Sequence, residues 1–336
     1  MKKLLSTLLS VAALTLALQS CHVGASGSWK NDNIPPDVKK EIAVIDQKLF
    51  KAIMTQDIAG VRQLMSPVLI EKAGKTVDTI VHNIGGAFKA TDYELLDEYY
   101  TKNSTTKITN TIPAVKGTDN DYVINYLALN EEMYVSLIIS KNIPVNFLVM
   151  AIYGKYSDGW KLNILQIGEY NILGKTAPDY YTEALNAYKK GNLIDATNLI
   201  STTAEIAMPG GAYFKYSKDA EMKVFYTKVL KEANTLYHLP LVLTQVKTIP
   251  QIFSISPQML ADPKYRGIFP IVKYKSGVNL TDTIALKAEN DAMQKVIGKV
   301  FKGIDENKAF ILYQAFNQVP NGKSLVKHYG FIQKLK

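Results

Sequence analysis

The stretch that most constrains this chain is Val145 to Gly174, VNFLVMAIYGKYSDGWKLNILQIGEYNILG. Residues Val145 to Tyr156 are apolar at both parities, with Phe147, Val149 and Ala151 on one side and Leu148, Met150 and Ile152 on the other. A strand of that composition has no face to give to water, so it belongs at the centre of a sheet covered on both sides. Ser157-Asp158-Gly159 follows, and its Asp-Gly pair suits a tight turn. Beyond the turn, Trp160, Leu162, Ile164, Tyr170 and Ile172 share one parity, while Lys161, Asn163, Glu169 and Asn171 share the other. That alternation is the half-buried pattern of an antiparallel partner. The segments upstream are expected to cover this hairpin.

Three helices are predicted first. Asp37 caps a helix running to about Met54, with Val38, Ile42, Ile45, Leu49 and Ile53 at helical spacing. Asp57 caps a short second helix carrying Val61, Leu64 and Met65, which Ser66-Pro67 stops. A third, Thr76 to about Ile84, aligns Val77, Ile80, Val81 and Ile84 before Gly85-Gly86. The apolar period then changes to two. Tyr93 to Thr101, Lys107 to Val115, Tyr122 to Leu129 and Met133 to Ser140 read as strands leading into the hairpin.

The helix–Asp–helix opening KLFKAIMTQDIAGVRQLMSP and the closing hairpin GKYSDGWKL resemble the nuclear-transport-factor-2-like (NTF2-like), or cystatin-like, α+β cone. The resemblance covers residues 36–174. It implies a curved antiparallel sheet wrapped around helices, and a conical pocket that some members use for catalysis and others for binding. An enzyme of this kind, a lyase, isomerase or hydrolase, would aim an Asp, His or Tyr into the cone. His82, the only histidine of this segment, is then the candidate base, with an acid from the Asp92 to Glu98 strand. Position 82 falls off the 77–80–81–84 stripe, which reads instead as a histidine on the helix surface. Asp92, Glu94, Asp97 and Glu98 likewise read as a solvated, charge-protected sheet edge.

Residues 1–20 have the form of a secretory signal, with Lys2 and Lys3 before the apolar run Leu4 to Leu18. Leu18-Gln19-Ser20-Cys21 resembles the bacterial lipobox. The resemblance implies cleavage before Cys21 and a diacylglycerol thioether on its sulfur, hence a membrane partner and a cell-envelope location. Residues 21–35 then read as a lipidated polar tether, and the absence of an acidic run in His22 to Ser28 favours the periplasmic side over surface export. Cys21 is the sole cysteine, which rules out a disulfide and a thiolate metal site.

Residues 175–240 read as a helical connector. YYTEALNAYKKGNLIDATNLIS resembles a single tetratricopeptide-type helical hairpin, and one unit makes a packed linker and not an array. Residues 241–336 read as a ββαββ layer pair, one helix on a short antiparallel sheet. The fold class expected for the whole is thus α+β.

Charge divides unequally. Residues 21–174 hold 15 Lys+Arg against 17 Asp+Glu, and residues 175–336 hold 22 against 13, a net +9. The excess is almost all lysine, which together with an envelope address argues against nucleic acid. An anionic ligand or an envelope protein is the expected partner, with Lys273, Lys275, Lys323 and Lys327 as the binding candidates. No cofactor motif is present: Gly322-Lys323-Ser324 would end a phosphate loop, but Asn317 stands where a glycine is required. The reading that results is a lipid-anchored, non-enzymatic binding module, with a cone enzyme or a scaffold subunit of an envelope assembly as alternatives.

Overall fold

The computed structural model describes residues 26–87 and 90–335. The readings of residues 1–20 as a signal and of Cys21 as the lipidation site fall outside them. Helix α1 (Pro36–Met54) opens with its proline in the first turn, where no N–H is needed. Helix α2 (Ile58–Leu64) is capped by Asp57, whose Oδ1 accepts the Gly60 N–H at 2.8 Å. Helix α3 (Pro67–Ala87) is longer than the expected Thr76 to Ile84. Ser66-Pro67 both ends α2 and opens α3, since proline is well tolerated at a first helical position and Ser66 Oγ takes the Leu69 N–H at 3.2 Å. Gly85 lies within α3, where a Cβ would collide with the Ile53 carbonyl oxygen, so its bare backbone lets α3 cross the end of α1.

Strands β1 (Gly27–Lys30), β2 (Tyr93–Lys102), β5 (Glu132–Ser140), β6 (Val145–Tyr156), β7 (Gly159–Ile172) and β8 (Lys175–Thr176) form the main sheet in that order, antiparallel throughout. The tether expected over residues 21–35 therefore does not hold for its second half. Gly27–Lys30 pairs with Tyr99–Lys102, and Ile34 is buried. Strands β3 (Thr109–Ala114) and β4 (Tyr122–Leu127) leave the expected meander and pair with β9 (Phe214–Tyr216) in a separate three-stranded sheet. Helices on a curled antiparallel sheet are the arrangement the sequence resemblance implies.

Central β6 is covered on both sides, as its composition requires. Phe147 is buried with it. Val149, Ala151 and Tyr153 face the helices with Ile42, Leu49, Ile53 and Trp160. Leu148, Met150 and Ile152 face the other way, against Ile124, Tyr180, Ile200 and Phe225. The alternation read along β7 breaks in the middle. Ile152 pairs with Ile164 but Tyr153 with Leu162, so Asn163 is a bulge. Trp160 and Leu162 consequently face the helices, while Ile164, just beyond the bulge, packs against the opposite core. One inserted residue exchanges the faces of a period-two pattern. The bulge is held by the Asn163 side chain, which donates to Asn130 Oδ1 at 2.8 Å and accepts from Tyr156 OH at 2.9 Å.

The segment read as a connector is structural core. Helices α4 (Ala177–Lys189), α5 (Leu193–Glu205) and α6 (Asp219–Tyr237) supply Tyr180, Ala196, Ile200 and Val229 to the second face of the main sheet. Ile194, Ala233 and Tyr237 pack instead into the C-terminal core. That part comprises β10 (Leu241–Val242), β11 (Gln251–Leu260), β12 (Gly267–Lys275), α7 (Thr283–Gln294), α8 (Ile297–Val300), β13 (Phe310–Phe316) and β14 (His328–Lys334), its strands pairing in numerical order. The sheet is mixed and not antiparallel, because β12 and β13 run parallel. Their link through α7 and α8 is the long crossover a parallel pair needs.

Candidate functional site

The cone is filled from within. Asp46 on α1 points between β5 and β6, where Ser136 Oγ donates to its Oδ2 at 2.7 Å and Tyr153 OH to its Oδ1 at 2.6 Å. It is 1% exposed. Burial pushes its carboxyl up to about 7, against the two hydroxyl donors and with help from the nearby Glu98 charge. Glu98, 3% exposed, accepts from Tyr134 OH at 2.7 Å and meets Lys39 at 3.3 Å. Trp160 stands edge-on to Tyr100 and Tyr134 and completes the packing. Each interior acid is thus bonded to a hydroxyl and closed off from water.

His82 is not in this group. It is exposed on α3, beside buried Val81. The acids of β2 divide. Asp92 and Glu94 are exposed, but Asp97 and Glu98 are buried, which corrects the reading of all four as a solvated edge. The reason is β1 and the residue after it: β1 pairs with Tyr99–Lys102, Asn31 bonds the Glu98 N–H and the Asp97 carboxylate, and alternation then sends Asp97 and Glu98 into opposite cores.

Asp97, 1% exposed, faces away from the helices. Lys30 lies 3.0 Å from its Oδ1 and Lys116 3.3 Å from its Oδ2. Tyr122 OH donates to Oδ2, and Asn31 Nδ2 to Oδ1 at 3.0 Å. Burial opposes the charge here too, yet hydrogen bonds from Tyr122, Asn31 and Lys30, with the Lys116 charge, hold this carboxyl below its ordinary range. The Tyr122 hydroxyl is pushed up by burial and by its tyrosine and carboxylate neighbours.

The lysine candidates fall in the C-terminal sheet. Lys273 and Lys275 lie on one face of β12, opposite Gln314 and Phe316 of β13. Those two pair in turn with Gly330 and His328 of β14. Gln314 Nε2 is 3.1 Å from His328 Nε2, and the Phe316 ring packs between Phe253 and His328. Lys327 precedes His328 at this same end of the sheet, and Lys323 is exposed in the loop before it. The final strand begins at His328, so β13 separates the two lysine pairs. Among the described residues none of the four has a carboxylate partner.

Asp46 was legible but overlooked. It interrupts the stripe Ile42–Leu49–Ile53 at position i+4 from Ile42, and an acid within an apolar helix face needs a buried partner. The partners, Ser136 and Tyr153, lie 90 and 107 residues away, and no local pattern joins them. Among the described residues no group of three or more His, Cys, Asp or Glu converges as a metal site would require.

No protein-family model matches the chain, and no curated protein matches it. Two solved structures are similar to it over 41% of its length, each at 13% identity. One is a protein of unknown function from the DUF3225 family of Pectobacterium atrosepticum, covered over 94% of its length with a TM-score of 0.25. The other is a Streptomyces avermitilis protein of the NTF2-like family, described as a dehydratase, covered over 99% with a TM-score of 0.22. At such scores neither likeness bears on activity, and the architecture above stands on its own strand order.

Proposed function

We propose that this protein is a lipid-anchored component of the bacterial cell envelope, on its periplasmic side, that binds an anionic partner and does not use its cone for catalysis. The anchor rests on the lipobox-like Leu18-Gln19-Ser20-Cys21 and the basic, then apolar, segment before it. Against cone catalysis stand the interior acids: Asp46 and Glu98 are both saturated by tyrosine, serine or lysine donors and closed to solvent. The observation that carries the binding reading is Lys273 and Lys275 on one sheet face with Gln314, Phe316 and His328, with no carboxylate partner among the described residues. Ammonium groups left free beside an aromatic row suit a phosphate or carboxylate partner.

Two experiments test it. Cys21→Ala is expected to move the protein from the detergent-extracted membrane fraction to a soluble or unprocessed one, with acyl mass absent from its N-terminal peptide. An unmodified N-terminal peptide in the natural protein removes the anchor. Binding to phosphatidylglycerol vesicles is expected to weaken as salt rises, because exposed charges are screened over about 10 Å at 0.1 M ionic strength. Glutamate at all four lysine positions should abolish it, and equal binding by that variant refutes the assigned face.

A further inference from the structure

At the seam of β1, β2 and β3 lies a cavity of about 490 Å³, within the span of roughly 300–1,000 Å³ usual for small-molecule sites. Its floor is the β1–β2 ladder, where Ser28 pairs with Thr101 and Lys30 with Tyr99. Its wall is β3, which brings Asn110 and Thr111. We propose that this cavity binds a small anionic molecule that also carries several hydroxyl groups, of the phosphosugar class.

The charge is the first support. Lys30 lines the cavity and shares Asp97 with Lys116, so these three side chains together carry one net positive charge. Among the described residues no acid lines the cavity itself. The second support is the supply of neutral polar groups, namely the hydroxyls of Ser28 and Thr101, the Thr111 oxygen, whose proton goes to Asn125 Oδ1 at 2.8 Å, and the amides of Asn103 and Asn110. Such groups match the hydroxyls of a sugar, which both donate and accept. Rigidity is the third. Asn110 Nδ2 donates to Tyr126 OH at 3.0 Å, and Thr101 Oγ1 lies 3.0 Å from the same buried hydroxyl. Asn103 Nδ2 is tied to the Glu131 carbonyl at 3.2 Å. Both amides are thereby fixed, while their side-chain oxygens make no hydrogen bond among the described residues and stay free to accept from a ligand. A site held in place before binding loses less entropy when it is occupied.

This site shares no residue with the C-terminal lysine face, so the two readings fail separately. The test is calorimetric titration of the whole chain with glucose 6-phosphate, glucose and inorganic phosphate. Glucose 6-phosphate is expected to bind more tightly than either of the others. Lys30→Gln should weaken it about tenfold, the effect of losing one charge-assisted hydrogen bond. Ser28→Tyr, which fills the cavity from an exposed strand position, should abolish binding with the melting temperature unchanged. Should that variant fold poorly, Thr111→Tyr on the opposite wall makes the same measurement. No binding of glucose 6-phosphate at millimolar concentration, binding of phosphate as tight as that of the phosphosugar, or unaltered affinity in the filled variants would overturn the proposal.

Discussion

Asp46 and Asp97 lie on opposite sides of the same sheet, each 1% exposed, and their carboxyls move in opposite directions. On the helix side Asp46 has two neutral hydroxyl donors and a second acid nearby, and its ionisation rises to about 7. On the far side Asp97 has a tyrosine, an asparagine and two lysines, and its carboxyl is held down. Exposure is equal in the two places, although Asp46 lies the deeper of the two within the protein. Compensation differs as well: hydroxyls soften the loss of water but cannot cancel a charge, and ammonium groups can. The helix side is therefore a dry aromatic core that tolerates the Asp46 carboxyl best when it is protonated. The far side keeps a permanent ion cluster next to an open, polar cavity.

The largest effect that tests this contrast belongs to the dry side. Trp160, 7% exposed between Tyr100 and Tyr134, should cost about 3–5 kcal/mol when replaced by alanine, as read by urea unfolding. Its indole N–H has no acceptor among the described residues. Trp160→Phe should consequently cost much less, about 1 kcal/mol, since only volume is lost. A Phe variant as damaged as the Ala variant would show that the ring's polar edge matters after all.

Stability against pH comes next. Asp46 ionises near 7 in the folded chain and near ~3.9 in the unfolded one. Between those values only the folded state holds the proton. Its contribution is thus complete below the unfolded value and disappears as pH rises through 7, a fall on the order of 4 kcal/mol. Asp46→Asn should flatten the slope of unfolding free energy between pH 5 and pH 8. An unchanged slope would mean that the helix side is wetter than its packing implies.

Asp97 runs the other way. Its depressed carboxyl contributes stability above its unfolded value, and that contribution is lost in acid as pH falls through the folded value. Asp97→Ala should cost about 3 kcal/mol at pH 7, because Tyr122 loses a buried acceptor and two lysines lose their partner. It should also remove part of the destabilisation seen below pH 4. Smallest of all is the expected effect of Glu at positions 273, 275, 323 and 327 on melting. Unpaired surface lysines change stability by within about 0.5 kcal/mol, whereas vesicle binding should be lost. A large drop in melting temperature would reveal a structural role for them.

Much of the fold was legible where the signal is local. The double-parity run Val145 to Tyr156 announced a central strand, Asp57 announced a helix start, and Asp158-Gly159 announced the hairpin turn. The candidate site was legible only in fragments. Asp46 stands out within its helix stripe, but its hydroxyl partners come from strands far along the chain. His82, singled out as a histidine, is exposed.

What the sequence determined by itself is therefore the kind and position of the elements, because capping, turn chemistry and apolar period act over a few residues. The tertiary structure decided the rest: that β1 closes the edge of β2, that β3 and β4 turn away to join β9, that Asn163 shifts the faces of β7, and that β12 and β13 lie parallel. Each of these is a pairing between segments distant in the chain. Backbone hydrogen bonds are alike for every residue type but proline, so strand order and register carry almost no local signature. Those same pairings put Asp97 into one core and Glu98 into the other, and with them the charge that the structure can offer to a ligand.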